Sequence, residues 1–184
     1  MTSKKDLLEK IKATPRKQKT LIIGIDGYGG SGKSSVALFL KENLSDVVIV
    51  EMDDFYKPSL KRADYKRVKE QVLQPLSSNK SASYQIYKWV TDSLSEFHDI
   101  EPGGIVIIEG VYSTHKDLAG NYDVKIWVEC DPEIGAKRGI ERDKLRDGVD
   151  NSEKWLNIWM PQEKRYVESQ NLKENADYVV SGME

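Results

Sequence analysis

Residues 20–35 read Thr-Leu-Ile-Ile-Gly-Ile-Asp-Gly-Tyr-Gly-Gly-Ser-Gly-Lys-Ser-Ser. Leu21–Ile25 is a short apolar run without strict alternation, as a strand buried on both faces reads. Gly27–Ser34 satisfies G-x-x-x-x-G-K-[ST], and Val36, Phe39, Leu40 and Leu44 then recur at helical spacing. Strand, glycine loop and helix in that order make a phosphate-binding loop. Glycines allow positive φ and bring successive N–H groups close to phosphate oxygens. The helix starting near Lys33 adds its dipole and its unpaired N–H groups. The nucleotide-binding set is Gly27, Gly29, Gly30, Ser31, Gly32, Lys33, Ser34 and Ser35, with Lys33 reaching the β- and γ-phosphates and the Ser34 hydroxyl ligating Mg²⁺.

Outward from the loop, four more apolar runs punctuate the chain: Asp46–Val50, Gly104–Ile108, Val124–Val128 and Asp177–Val180. Helical patterns lie between them. Val68, Val72, Leu73 and Leu76 form one, Trp89, Val90, Leu94 and Phe97 another. Pro132–Leu145 and Ser152–Leu172 are charged and amphipathic, the latter interrupted or begun anew near Pro161. Strands alternating with helices imply a parallel sheet with right-handed crossovers and helices on both faces. The expected fold is an α/β three-layer sandwich of the P-loop NTPase type. One domain is read over residues 1–184, with residues 1–18 as an N-terminal helical extension ended by Pro15.

Composition narrows the function. A chain of 184 residues can bury a full core, and 39% apolar with 32% charged residues suits an ordinary soluble protein. The net charge of −2 gives no global positive field for nucleic acid or anionic membrane, so phosphate must be bound locally. No stretch approaches the roughly 20 apolar residues of a membrane span, and Met1–Gln18 lacks the apolar core of a secretory signal. The lone Cys130 cannot form an internal disulfide; it reads as a buried structural thiol in a reducing compartment, the cytoplasm. Self-association is left open.

Three further features bear on the γ-phosphate. Asp53 and Asp54 follow the second strand, on the side where a doubly wound sheet gathers its ligands. A carboxylate there can accept a proton from an attacking hydroxyl or hold Mg²⁺, or can simply cap a turn. Glu109 ends the third strand, Ile107-Ile108-Glu109-Gly110, where an acid needs a cation or donors. Arg138 and Arg142 are i, i+4 neighbours on one helical face and could close over the triphosphate, or could pair with Glu141 and Asp143. His98 and His115 belong to no ligand-like cluster, and Trp155 and Trp159 read as packing for the C-terminal helix.

From about Thr20 to Ser181 the chain resembles the uridine kinase branch of P-loop small-molecule kinases, which includes phosphoribulokinase and pantothenate kinase relatives. The resemblance lies in Gly27–Ser34, in Asp53-Asp54-Phe55-Tyr56 against the family's D-S-F-Y, in Ile108-Glu109-Gly110, and in Arg138–Asp143 followed by Ala176-Asp177-Tyr178-Val179-Val180. It implies a five-stranded parallel sheet, ATP and Mg²⁺, and phosphoryl transfer to a nucleoside hydroxyl. Asp53 would be the base, with Ser34, Glu109 and Asp53 on the metal side and Arg138 and Arg142 in the lid. Tyr56, Asp64 and Tyr87 would bind the acceptor. Three positions depart from the pattern: Asp92 stands where the family has a base-contacting histidine, Gly139 replaces the second arginine of a pair, and Asp54 replaces the serine of D-S-F-Y. Alternatives are a kinase of pantothenate, a nucleoside monophosphate or a sugar alcohol, or a nucleotide-dependent regulatory ATPase.

Overall fold

The computed structural model describes residues 1–60 and 62–182. The chain opens with α1 (Lys4–Ala13), β1 (Leu21–Asp26), α2 (Lys33–Asn43) and β2 (Val47–Glu51). A 3₁₀ turn (Met52–Phe55) leads into two short strands, β3 (Tyr56–Lys57) and β4 (Arg62–Ala63). A helical segment follows, α3 (Tyr65–Val68) running through a π turn into α4 (Gln74–Ser77), and then the hairpin strands β5 (Ala82–Lys88) and β6 (Ser93–Ile100). The remainder is β7 (Ile105–Glu109), α5 (Lys116–Ala119), β8 (Val124–Glu129), α6 (Pro132–Asp147), α7 (Ser152–Lys154), a second π turn, α8 (Met160–Gln170) and β9 (Tyr178–Ser181).

Five strands form one parallel sheet in the order β2-β7-β1-β8-β9. They are the five apolar runs of the sequence, each end within one residue of its reading. β1 and β7 are buried along their whole length because layers cover both faces. On one face Ile22, Val50, Val106 and Ile108 meet Phe55, Val68, Leu73 and Tyr84. On the other, Ile23, Ile25, Ile107 and Ile126 meet Leu7 and Ile11 of α1 and Val36 and Leu40 of α2. Cys130 is buried and unpaired, as its reading required. Among the described residues no helix is long and apolar enough to cross a membrane.

The stripe Trp89, Val90, Leu94, Phe97 is not a helix. Residues 82–100 form an antiparallel hairpin whose turn carries Asp92 at φ +48°. The buried positions are Ala82, Tyr84, Tyr87, Ser95 and Ile100, while Trp89 and Val90 are 58% and 99% exposed. The helical spacing therefore fell on residues that bury little, and the strand alternation of 82–87 governs.

The two π turns, Lys69–Leu73 and Trp155–Trp159, each end just before a proline, Pro75 and Pro161. Proline lacks the amide of the regular ladder and its ring crowds the carbonyl four residues back. The wider turn absorbs both problems, so the helix passes through Pro161 instead of restarting there.

Candidate active site

The parallel register sets the carboxyl ends of β1, β2 and β7 side by side, with Glu51 level with Glu109 and Glu109 level with Ile25. The glycine loop leaves β1 at this edge, and Gly32, at φ +96°, is the N-cap of α2. Only glycine adopts that conformation without strain. Gly30 answers to a second constraint: at φ +70°, a Cβ there would lie 2.0 Å from the Gly135 carbonyl oxygen of α6. α2 begins at Lys33, so its first amides point out of the helix at the loop, unpaired within it.

Lys33 is buried and its Nζ donates to the Tyr28 carbonyl at 2.8 Å. The Ser34 hydroxyl donates to Glu109 Oε1 at 2.7 Å. Burial pushes the Glu109 pKa up, against the Ser34 hydrogen bond and the Lys33 charge, and the nearby carboxylates Glu51 and Asp53 push it further up. Lys33, Ser34, Glu109 and Asp53 thus occupy one electrostatic neighbourhood at the sheet edge.

Asp53 lies exposed in the 3₁₀ turn after β2, and its carbonyl accepts the Tyr56 N–H. Asp54 beside it is half-buried. Burial and the like charges of Glu51 and Asp53 push its pKa up to about 6, with His98 pulling the other way. On the acceptor side, the Tyr56 ring lies 5.3 Å from Tyr87 and 4.2 Å from Trp89, centroid to centroid. The Tyr87 hydroxyl donates to Asp92, and that bond pushes the Tyr87 pKa up to about 12. Asp64 caps α3 through the Lys66 N–H and pairs with Lys57 at 3.1 Å. Burial opposes its charge, but Lys57 and the Lys66 and Arg67 amides together hold its pKa below the usual carboxylate range.

The two arginines of α6 part company. Arg138 Nη1 donates at 3.2 Å to the Gly182 carbonyl, and Gly182 abuts the Ser31 carbonyl of the glycine loop. Arg142 instead turns along its own helix, with Nε and Nη2 on Asp143 Oδ1 at 3.2 and 3.0 Å. Gly139 has a spatial cause: a Cβ there would come within 2.3 Å of the Trp155 ring. A second arginine in the pair has no room beside that indole.

Two carboxylates that sequence reasoning passed over touch the loop. Asp26, at the end of β1, is buried and accepts the Gly27 N–H at 2.8 Å. Glu163 of α8 is buried and accepts the Gly29 N–H at 2.8 Å. Asp26, like Glu109, is an acid closing an apolar strand, and that position marks it in the sequence as needing donors or a cation. Glu163 carries no comparable local signal, since only the tertiary fold brings α8 to the loop.

The donors suit a polyphosphate and a hard cation. Among the described residues, Ser31 Oγ in the loop is one of two buried side-chain polar atoms lacking a hydrogen-bond partner, the other being Gln71 Oε1. No group of three or more His, Cys, Asp or Glu side chains among the described residues could hold a metal. A serine hydroxyl and one or two carboxylates are the donor set of Mg²⁺, which keeps waters and shares phosphate oxygens.

A parallel sheet carrying this loop at the carboxyl end of its first strand defines an α/β P-loop NTPase. The model of the Phosphoribulokinase / Uridine kinase family matches residues 54–184. A uridine kinase from Alkaliphilus metalliredigens is 32% identical over 148 residues, covering 71% of each chain. Another, from Macrococcus caseolyticus, is 28% identical over 183 residues, covering 88% of each. The structure of a possible uridine kinase from Bacillus stearothermophilus superposes with a TM-score of 0.70 at 21% identity, covering 96% of both chains. The chain belongs to the phosphoribulokinase/uridine kinase family and is an ATP-dependent phosphotransferase acting on a small molecule.

Proposed function

We propose that the protein transfers the γ-phosphoryl group of ATP, with Mg²⁺, to the 5′-hydroxyl of a nucleoside, uridine or cytidine. The observation that carries this reading is the hydrogen bond from Ser34 to Glu109 beside Asp53, which gathers a metal-side pair and a free carboxylate at the phosphate loop. The curated relatives named uridine kinase support the choice of acceptor.

In this reading Lys33 and the amides from Gly32 into the first turn of α2 hold the polyphosphate. Ser34 and Glu109 would hold Mg²⁺, which when bound neutralises charge on the β- and γ-phosphate oxygens. Asp53 orients the acceptor hydroxyl and takes its proton as the new O–P bond forms, while the bond to the β-phosphate oxygen breaks and its electrons leave with ADP. Arg138 is already beside the loop, whereas Arg142 must leave Asp143 to reach the transferring group. Tyr56 and Tyr87, with Trp89, offer aromatic faces to a base, and Asp64 offers an acceptor to ribose hydroxyls.

A second reading, transfer to another small alcohol such as pantothenate, a nucleoside monophosphate or a sugar alcohol, is favoured by Asp92. It engages the Tyr87 hydroxyl that a base would otherwise meet. Labelled ATP incubated with a panel of these acceptors separates the two. The first reading expects uridine or cytidine to be phosphorylated with a kcat/KM at least about tenfold above the rest, a difference of about 1.4 kcal/mol in transition-state binding. Labelled product from a non-nucleoside alone would replace it with the second.

A further inference from the structure

The glycine loop is held from outside as well as from within. Glu163 Oε2 accepts the Gly29 N–H at 2.8 Å. Three residues along the same helix, the Tyr166 hydroxyl donates to Asp26 Oδ2 at 2.7 Å. Asp26 accepts the Gly27 N–H through Oδ1 and the Thr114 N–H and hydroxyl through Oδ2, at 2.8, 2.9 and 3.0 Å. The Ser31 N–H turns inward to the Tyr28 carbonyl at 3.0 Å. The amides of Gly27, Gly29 and Ser31 are therefore committed to the protein itself. That leaves the Gly30 and Gly32 amides, with the unpaired ones that open α2, to converge on phosphate.

The segment feeding α8 reaches both the loop and α6. A Cβ on Gly29 would lie 2.6 Å from the Trp155 ring, and the Trp155 indole N–H donates to Asp143 at 2.8 Å. Tyr112, held at φ +73° in a loop after β7, packs its ring 4.4 Å from that of Tyr166. A bulky residue persists in that sparsely populated conformation only where its surroundings enforce it. α8 is thus anchored on several sides at the point where it touches the loop.

Glu163 is a costly residue to bury. It has the Gly29 N–H and the charge of Lys33 to support it, and Asp26 nearby opposes it. Asp26 is better supported, by four donors. A second negative charge next to Lys33 also works against an incoming polyphosphate. A carboxylate retained there despite both penalties has to supply geometry, because its charge is unfavourable on both counts.

We propose that Glu163 is a positioning residue for nucleotide binding, holding the Gly29 amide so that the phosphate loop keeps the start of α2 open to the polyphosphate. The proposal rests on the phosphate-loop reading given above. It makes the hydrogen-bond-accepting oxygen the useful part of the side chain and the charge dispensable. Glutamine keeps that oxygen; alanine loses it and leaves the Gly29 N–H without its partner.

The test is the dissociation constant of Mg·ATP, by titration calorimetry, for the full chain and its Glu163→Gln, Glu163→Ala and Lys33→Ala variants. Glu163→Gln is expected to bind ATP as tightly as the parent or more tightly, and Glu163→Ala about tenfold more weakly, with the acceptor KM at saturating ATP unchanged in both. ATP binding by Glu163→Ala equal to the parent's, or a Glu163→Gln variant as weak as Glu163→Ala, overturns the proposal. Undiminished binding by Lys33→Ala would instead remove the phosphate-loop reading, so the two failures are distinguishable. If Glu163→Ala shows no cooperative unfolding transition, Glu163→Leu carries the test, since it fills the buried site yet offers the Gly29 N–H no acceptor. It is expected to bind ATP about tenfold more weakly than Glu163→Gln, and equal affinity in those two variants overturns the proposal.

Discussion

The carboxylates of the candidate site differ in what sustains their charge. Asp26 gathers four donors, Glu109 a hydroxyl and the field of Lys33, and Asp64 a lysine and two backbone amides. Asp64 is the one whose pKa is held low, so its stabilising contribution is present above the ordinary aspartate value and is lost as pH falls through the lowered one. Replacing its half-exposed partner, Lys57→Met, is therefore expected to cost up to about 1 kcal/mol at pH 7 after solvent screening is allowed for. That gap should close as the pH is taken below the ordinary aspartate range and through the lowered Asp64 pKa. Urea midpoints measured across that range check it, and a gap independent of pH would mean that Lys57 acts through something other than the carboxylate. Lys33, Ser34 and Glu109 could be read from the sequence because each sits at a strand end or helix start whose direction the fold class dictates. The bond of Arg142 to Asp143 could only be posed as one of two options, since adjacent charges on a helix carry no signal for which partner wins.

Secondary elements were legible where one period dominates. The strands entering and flanking the glycine loop are continuous apolar runs, and the capped ends of α6, with Asp131 accepting the Glu133 N–H and Gly148 in the left-handed region, are typical helix punctuation. The β5–β6 hairpin was not, because its exposed apolar residues mimic a helical stripe while its buried ones alternate around an irregular register between Gln85 and Tyr87. The helical segment from Ser152 to Gln170 also has a consequence for α6. Trp155 lies against Gly139, so Gly139→Ala forces a Cβ into the indole and is expected to destabilise the fold by roughly 1–3 kcal/mol, the usual cost of overpacking. In a chain of this length that lowers Tm by about 2–12 °C. Differential scanning calorimetry checks it, and an unchanged Tm would show that the indole moves aside at no cost.

The molecule carries a net charge of −2, so the proposed polyphosphate site has to be local, and it is assigned to the place where β1, β2 and β7 end. The sheet order β2-β7-β1-β8-β9 could not be derived from five similar apolar runs, which carry no label of their neighbours; family resemblance supplied the expectation of five parallel strands. Nucleotide bound at the proposed site would stabilise the whole chain by mass action, by about 2.7 kcal/mol at a hundredfold excess over Kd. Mg·ATP is therefore expected to raise Tm by several degrees in the parent protein and to leave Lys33→Ala unmoved; equal shifts in both would place the nucleotide elsewhere. The proposed transfer requires Asp53 to face the terminal phosphate across from Ser34 and Glu109, and single-turnover transfer from γ-labelled ATP to uridine and cytidine is the decisive measurement. The parent protein should label the 5′-hydroxyl, and Asp53→Asn should do so about 10²–10³-fold more slowly while binding ATP with unchanged affinity. Label transferred by Asp53→Asn at the parent rate would remove Asp53 from the role of base.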